Sequence, residues 1–177
     1  MKEVVMYAKY NQAGNKTIYD ILSALSNDER EMDRGSFCGS LSGLLCHNVE
    51  VTLYFFDLFK ETLKNNENAF KVISSLESIS FSKEGQLNEA GWKDLGAALD
   101  TVDTAYISLA EALTDADISL LVEIEWYDGN PASVPLSFLL SQLLVHNTHH
   151  RGQISHILDS LKIDNDYSGI GLEFLSG

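Results

Sequence analysis

Apolar residues recur at three- and four-residue intervals along most of the chain, and they mark out four long segments. In residues 4–25, Val4, Tyr7, Ala8, Ile18, Ile21, Leu22 and Leu25 share one side of a helix, the periodicity of an amphipathic element. Gly14 weakens its middle. Asn11 and Asn15, four apart, share a face that points either into a cavity or, as expected for polar side chains, to solvent. Residues 40–64 are apolar round much of their circumference, through Leu41, Leu44, Leu45, Val51, Leu53, Phe55, Phe56, Leu58 and Phe59, which suits a deeply buried helix. Residues 88–113 repeat Trp92, Leu95, Leu99, Val102, Tyr106, Leu109 and Leu113; with no histidine or cysteine among them, the segment reads as structural. The fourth segment, 135–161, opens on Pro135, suited to a first helical position. It carries Leu136, Leu139, Leu140, Leu143, Ile154, Ile157, Leu158 and Leu161.

The connections differ in kind. Ser26-Asn27-Asp28-Glu29-Arg30 reads as a cap and short turn, and Asp33-Arg34-Gly35-Ser36 ends the first connection. Residues 65–89 are polar and mixed, long enough to run from one end of a helical bundle to the other. At 118–126 the period changes to two, with Ile118, Leu120, Val122, Ile124 and Trp126 alternating against polar neighbours, the signature of a strand. Asp128-Gly129-Asn130-Pro131 supplies a turn, and residues 132–134 return as a short partner strand. The tail, 162–177, is acidic and irregular. The pattern predicts an all-α chain with a short β-hairpin before its last helix. Repeats, low-complexity tracts and Pro/Ser-rich linkers are absent, so 177 residues with 45% hydrophobic content suit a single domain over 1–177.

Charge narrows the function classes. A net charge of −14, from 26 acidic against 12 basic side chains, repels phosphate backbones and argues against direct nucleic-acid binding. The chain has no Lys/Arg-rich run, glycine-rich phosphate loop or Gly-x-Ser-x-Gly nucleophile elbow. No stretch has the length and purity of a membrane span, and the N-terminus lacks the segments of a secretory signal, so a cytoplasmic location is expected. Cys38 and Cys46 are too few for a disulfide framework and read as reduced thiols.

Chemistry concentrates in His146-Asn147-Thr148-His149-His150-Arg151-Gly152-Gln153, which holds three of the five histidines. Residues four apart on a helix lie about 40° apart round its axis and about 6 Å apart along it. His146 and His150 therefore project side by side and can close on one cation. The zinc-protease helix places a glutamate after the first histidine; Asn147 stands there, which excludes that protease class. Outside 146–156 the one remaining histidine is His47, on the second helix. A polar ring on so apolar a helix needs a partner, and a metal, a backbone carbonyl or a buried water would each serve. Glu50, three residues on, shares its face and is a candidate metal ligand, orienting group or general base. The chain has no pair of Glu-x-x-His motifs, so one metal rather than two is expected.

The eight-residue stretch resembles the His-x-x-His-His-Arg-Gly-Gln motif of the DinB/YfiT-like superfamily. Gly39-Ser40-Leu41 with Leu45-Cys46-His47 is similar to its second-helix segment, and Tyr7-Ala8-Lys9-Tyr10-Asn11 to its opening. The resemblance implies a four-helix bundle with a long crossover between helices 2 and 3, homodimeric, holding one divalent ion, zinc or nickel, at a cleft. Its ligands would be His47, His146 and His150. His149, about 60° round the helix from His146 and about 100° from His150, falls to packing or solvent, and His156 to the surface or to a contact supporting a ligand. Arg151 reads as a structural ion pair or helix-end contact, Gly152 as a site of close helix packing, and Gln153 as a residue reaching the cavity.

Three neutral imidazoles leave an ion its full charge, which acidifies a water or a thiol. The resemblance therefore implies a metal-dependent enzyme acting on a small molecule, with a low-molecular-weight thiol as cosubstrate in S-transfer or isomerisation. Metal-dependent hydrolysis and a non-catalytic, stress-associated metal-binding role are the alternatives. Cys46 is not a nucleophile on this reading, because neighbours on a helix point about 100° apart.

Overall fold

The computed structural model describes residues 2–81, 87–126, 128–167 and 169–175. Among them are six helices, α1 (Lys2–Ser23), α2 (Asn27–Glu31), α3 (Leu41–Thr62), α4 (Glu67–Ser74), α5 (Glu89–Ala112) and α6 (Leu136–Ser160). An antiparallel hairpin of β1 (Leu121–Glu125) and β2 (Pro131–Pro135) lies between α5 and α6, and Val122 pairs with Val134 at its centre. No helix among the described residues is long and apolar enough to cross a membrane.

Short polar side chains set the helix starts. Ser40 accepts from Gly43 N at the head of α3, Asn66 from Ala69 N at α4 and Asn88 from Gly91 N at α5, each satisfying an amide with no partner inside its helix. In α2 Ser26 and Glu29 form a reciprocal capping box. The four long helices start and stop within a few residues of the hydrophobic pattern. Two helices exceed it: α2 where a turn was expected, and α4 inside the polar crossing. Only Ala69 and Ile73 are fully buried on α4, too few to stand out among its polar neighbours. Residues 82–86 of that crossing lie outside the described residues. The strand begins at Leu121 because Asp117–Ser119 forms a 3-10 turn, held by Thr114 N donating to Asp117 Oδ2 at 2.8 Å. Pro135 closes β2 instead of opening the helix, and Leu136 N donates to Leu120 O at 2.8 Å, tying α6 to the hairpin.

α1 lies against α5 and α6, and α3 against the same two helices. Their buried faces form two apolar clusters. One gathers Phe56, Phe59, Tyr106, Leu109, Leu136 and Leu143; the other gathers Ile18, Leu22, Leu44, Leu45, Leu95 and Leu158. Between them, at the same level on all four helices, the buried residues turn polar: Asn11 and Asn15 on α1, Asn48 and Thr52 on α3, Asp103 on α5, Asn147 and Arg151 on α6.

Candidate metal centre

His47 leaves α3 at the level of this polar layer, and His146 and His150 leave α6 opposite it. One ring nitrogen from each lies within 4.8 Å of the others. Ring centroids are 5.0 Å apart for His47 and His146, 4.7 Å for His47 and His150, and 4.5 Å for His146 and His150. His146 and His150 face each other Nε2 to Nε2 at 3.2 Å. His150 Nδ1 donates to Gln153 Oε1 at 2.6 Å, which leaves its Nε2 a lone pair aimed at the cluster. His146 Nδ1 is buried without a partner in hydrogen-bond geometry, although the Asn147 side chain favours its protonated form.

Electrostatics favour the neutral form of His146 and His150. Burial, followed by the charges of His150 and His47, pushes His146 down to about 4. Burial likewise lowers His150, against the raising effect of its bond to Gln153. Neutral imidazoles are the form that binds a metal. Two nitrogens about 2.0–2.1 Å from one tetrahedral ion lie about 3.3 Å apart, so the 3.2 Å gap fits a divalent cation shared between them.

Two cavities flank the cluster. One, of about 340 Å³, reaches His47 and is lined by Glu31, Glu50, Cys38 and Cys46. Phe37, largely exposed, sets its ring against His47 at 5.9 Å. Glu50 thus lies beside the histidines, outside the group of converging donor atoms. Cys46 is pushed up to about 12, by burial first and then by the Glu50 charge, and so stays a thiol at neutral pH. The second cavity, a wide groove of about 770 Å³, runs along α6 past His149, Gln153 and His156. His149 and His156 are exposed, and the His149 ring touches that of His150 at 5.0 Å.

Two expectations need correction. Asn11 and Asn15 are buried, not solvated. Their amide nitrogens donate to Asp103 Oδ1, each at 3.0 Å, and Asn15 Nδ2 also reaches Oδ2 at 3.1 Å. Their carbonyl oxygens accept from Arg151 Nη1 at 2.5 and 3.3 Å. Arg151 also donates to Thr148 Oγ1 at 3.1 Å and lies over the Tyr10 ring at 5.0 Å. Two amide dipoles thus bridge a buried carboxylate and a buried guanidinium. Burial raises Asp103 to about 7, with the two amides and Arg151 pulling against it. α5, expected to be structural, supplies Asp103 to this network. The signal was present, since Asp103 falls on the stripe of Leu99, Val102 and Tyr106, where a carboxylate demands a partner. The second correction concerns glycine. Gly152 is exposed with open space around it, whereas a Cβ on Gly14 would meet Arg151 Cδ at 3.3 Å, so the close approach belongs to Gly14.

Fold and site together define a mostly helical protein with a three-histidine cluster able to hold a metal ion. The chain belongs to the DinB family, whose family model matches residues 1–161. No curated protein and no solved structure matches it significantly.

Proposed function

We propose that this DinB-family protein is a metal-dependent enzyme acting on a small molecule, with His47, His146 and His150 as the ligands of one divalent ion, zinc or nickel. The observation that carries this is the convergence of three imidazoles from two helices, two of them Nε2 to Nε2 at 3.2 Å, with no carboxylate in the cluster. An ion so held keeps its charge and acidifies a water or thiol brought to it. The protein's own residues then divide the remaining work. Burial favours the neutral form of His146 and His150, Gln153 fixes the His150 tautomer, and Glu50 stands in the cavity beside His47, placed to take a proton from an entering thiol or water. A cavity lined by His47, with a groove alongside that reaches Gln153, suits a catalytic site with an open position better than a closed structural one.

A low-molecular-weight thiol is the proposed cosubstrate, in S-transfer or isomerisation. The surrounding architecture is one domain over 1–177, the four long helices forming a four-helix bundle, and the protein acts as a cytoplasmic homodimer. Turnover of an electrophile such as 1-chloro-2,4-dinitrobenzene, screened against glutathione, cysteine and other small thiols on the zinc- or nickel-loaded protein, tests the reading. Activity lost in His150→Ala and kept in Cys46→Ser supports it. Full turnover in His150→Ala rules it out.

A further inference from the structure

The two cavities beside the histidines differ in sign. The one reaching His47 carries Glu31 and Glu50, which repel an anion. Among the described residues, the groove along α6 has no carboxylate in its lining, although 26 acidic residues are spread over the 177-residue chain. It presents donors instead: Arg34 and Ser36 from the loop before α3, and Thr148, His149, Gln153 and His156 from α6. Arg34 brings a guanidinium, whose planar fork of donors matches carboxylate and phosphate geometry.

Two acids near that loop are already engaged, and a third, Glu31, lines the other cavity. Asp33 Oδ1 accepts from Gly35 N at 2.8 Å, and Glu29, which feels the Arg34 charge, is held by Ser26 N and Oγ at 2.9 and 2.7 Å. Arg34 itself makes one recorded bond, Nη2 to the Glu29 carbonyl at 3.1 Å. Its Nε and Ser36 Oγ, both shielded from water, have no hydrogen-bond partner. Buried donors left unmade are costly, and an acceptor entering the groove relieves them. The groove is joined to the cluster through Gln153, which lines it and holds His150. Its volume of about 770 Å³ matches that of small-molecule sites.

From this we infer that the α6 groove binds the anionic group, carboxylate or phosphate, of a small-molecule substrate and anchors it at Arg34 beside the histidine cluster. The inference rests on the cluster being the reaction centre. It makes Arg34 a specificity-determining residue and leaves the cavity at His47 to the neutral partner.

Isothermal titration of the zinc-loaded full chain with succinate, inorganic phosphate and the neutral analogue succinamide tests it, with zinc content measured on the same samples. Two variants are compared with wild type. Arg34→Gln removes the charge, and Val145→Glu, at an exposed position of the groove wall, adds an opposing one. Each is expected to weaken anion binding roughly tenfold, the scale of one charge-assisted hydrogen bond. Zinc content and the weak response to succinamide should stay unchanged. The relative affinity of succinate and phosphate assigns the group. Anion affinity indifferent to both variants, or no anion binding by wild type, overturns the inference while leaving the metal reading intact. Arg34-dependent anion binding by a protein that takes up no zinc sustains the groove and overturns the reaction centre.

Discussion

Replacing Asn15 by leucine tests the buried polar layer that backs the histidine pair. Asn15 donates to both oxygens of Asp103 and accepts from Arg151, and all three residues are almost wholly buried. Leucine has similar volume and removes both functions, so the carboxylate keeps Asn11 as its remaining amide donor and the guanidinium keeps Asn11 Oδ1. Hydrogen bonds to charged groups are worth about 1.5–3 kcal/mol each. Losing the forked donation to both Asp103 oxygens, counted as one shared bond, and a longer bond on the cation side gives an expected cost of about 3 kcal/mol. For a chain of this size that lowers Tm by roughly 6–12 °C. Urea denaturation followed by circular dichroism measures it; the midpoint should fall with the slope unchanged. A change within about 0.5 kcal/mol, the range of surface substitutions, would refute the reasoning and return Asn15 to solvent.

The remaining predictions concern other elements. Asp103, raised to about 7 in the fold, binds its proton there at pH values where the unfolded chain has released it. Its contribution to stability therefore falls as pH rises from about 4 to about 7. The stability difference between wild type and Asp103→Asn should move against wild type by about 2 kcal/mol between pH 5.5 and 8; a flat difference contradicts the shift. Gly96→Ala should destabilise although alanine favours helix, because the added Cβ would lie 2.3 Å from Tyr19 Oη and push that ring off Trp92, stacked at 4.7 Å. Gly152→Ala, with open space around it, should instead stabilise by about 0.5–1 kcal/mol in the same denaturation assay. Cys46, pushed up to about 12, should react with iodoacetamide at pH 8 far more slowly than a free thiol.

The helices were legible wherever apolar residues repeat at helical spacing over several turns, as from Leu41 to Phe59 and from Trp92 to Leu113. The hairpin showed in the change of period between Ile118 and Trp126. α4 was hidden because an eight-residue helix needs only Ala69 and Ile73 to seat it. The pairing of His146 with His150 follows from one helical turn. His47 stood out as the one histidine outside 146–156 and the DinB resemblance made it a ligand, but spacing could not place it, since tertiary packing brings α3 to α6. The network of Asn11, Asn15, Asp103 and Arg151 was missed for a physical reason: Asn11 and Asn15 alone read as solvated side chains and Arg151 as an ion pair or helix-end contact, and only the assembled layer satisfies all four. Asp103 on an apolar stripe was the one clue that pointed to it.

The most direct test of the central claim is metal content per chain, measured by elemental mass spectrometry on tag-free protein after reconstitution with zinc or nickel. Wild type is predicted to hold about one divalent ion, and His47→Ala and His146→Ala to lose it while keeping the helical circular dichroism of the parent. An ion retained in both variants, or none in wild type, would contradict the three-histidine centre.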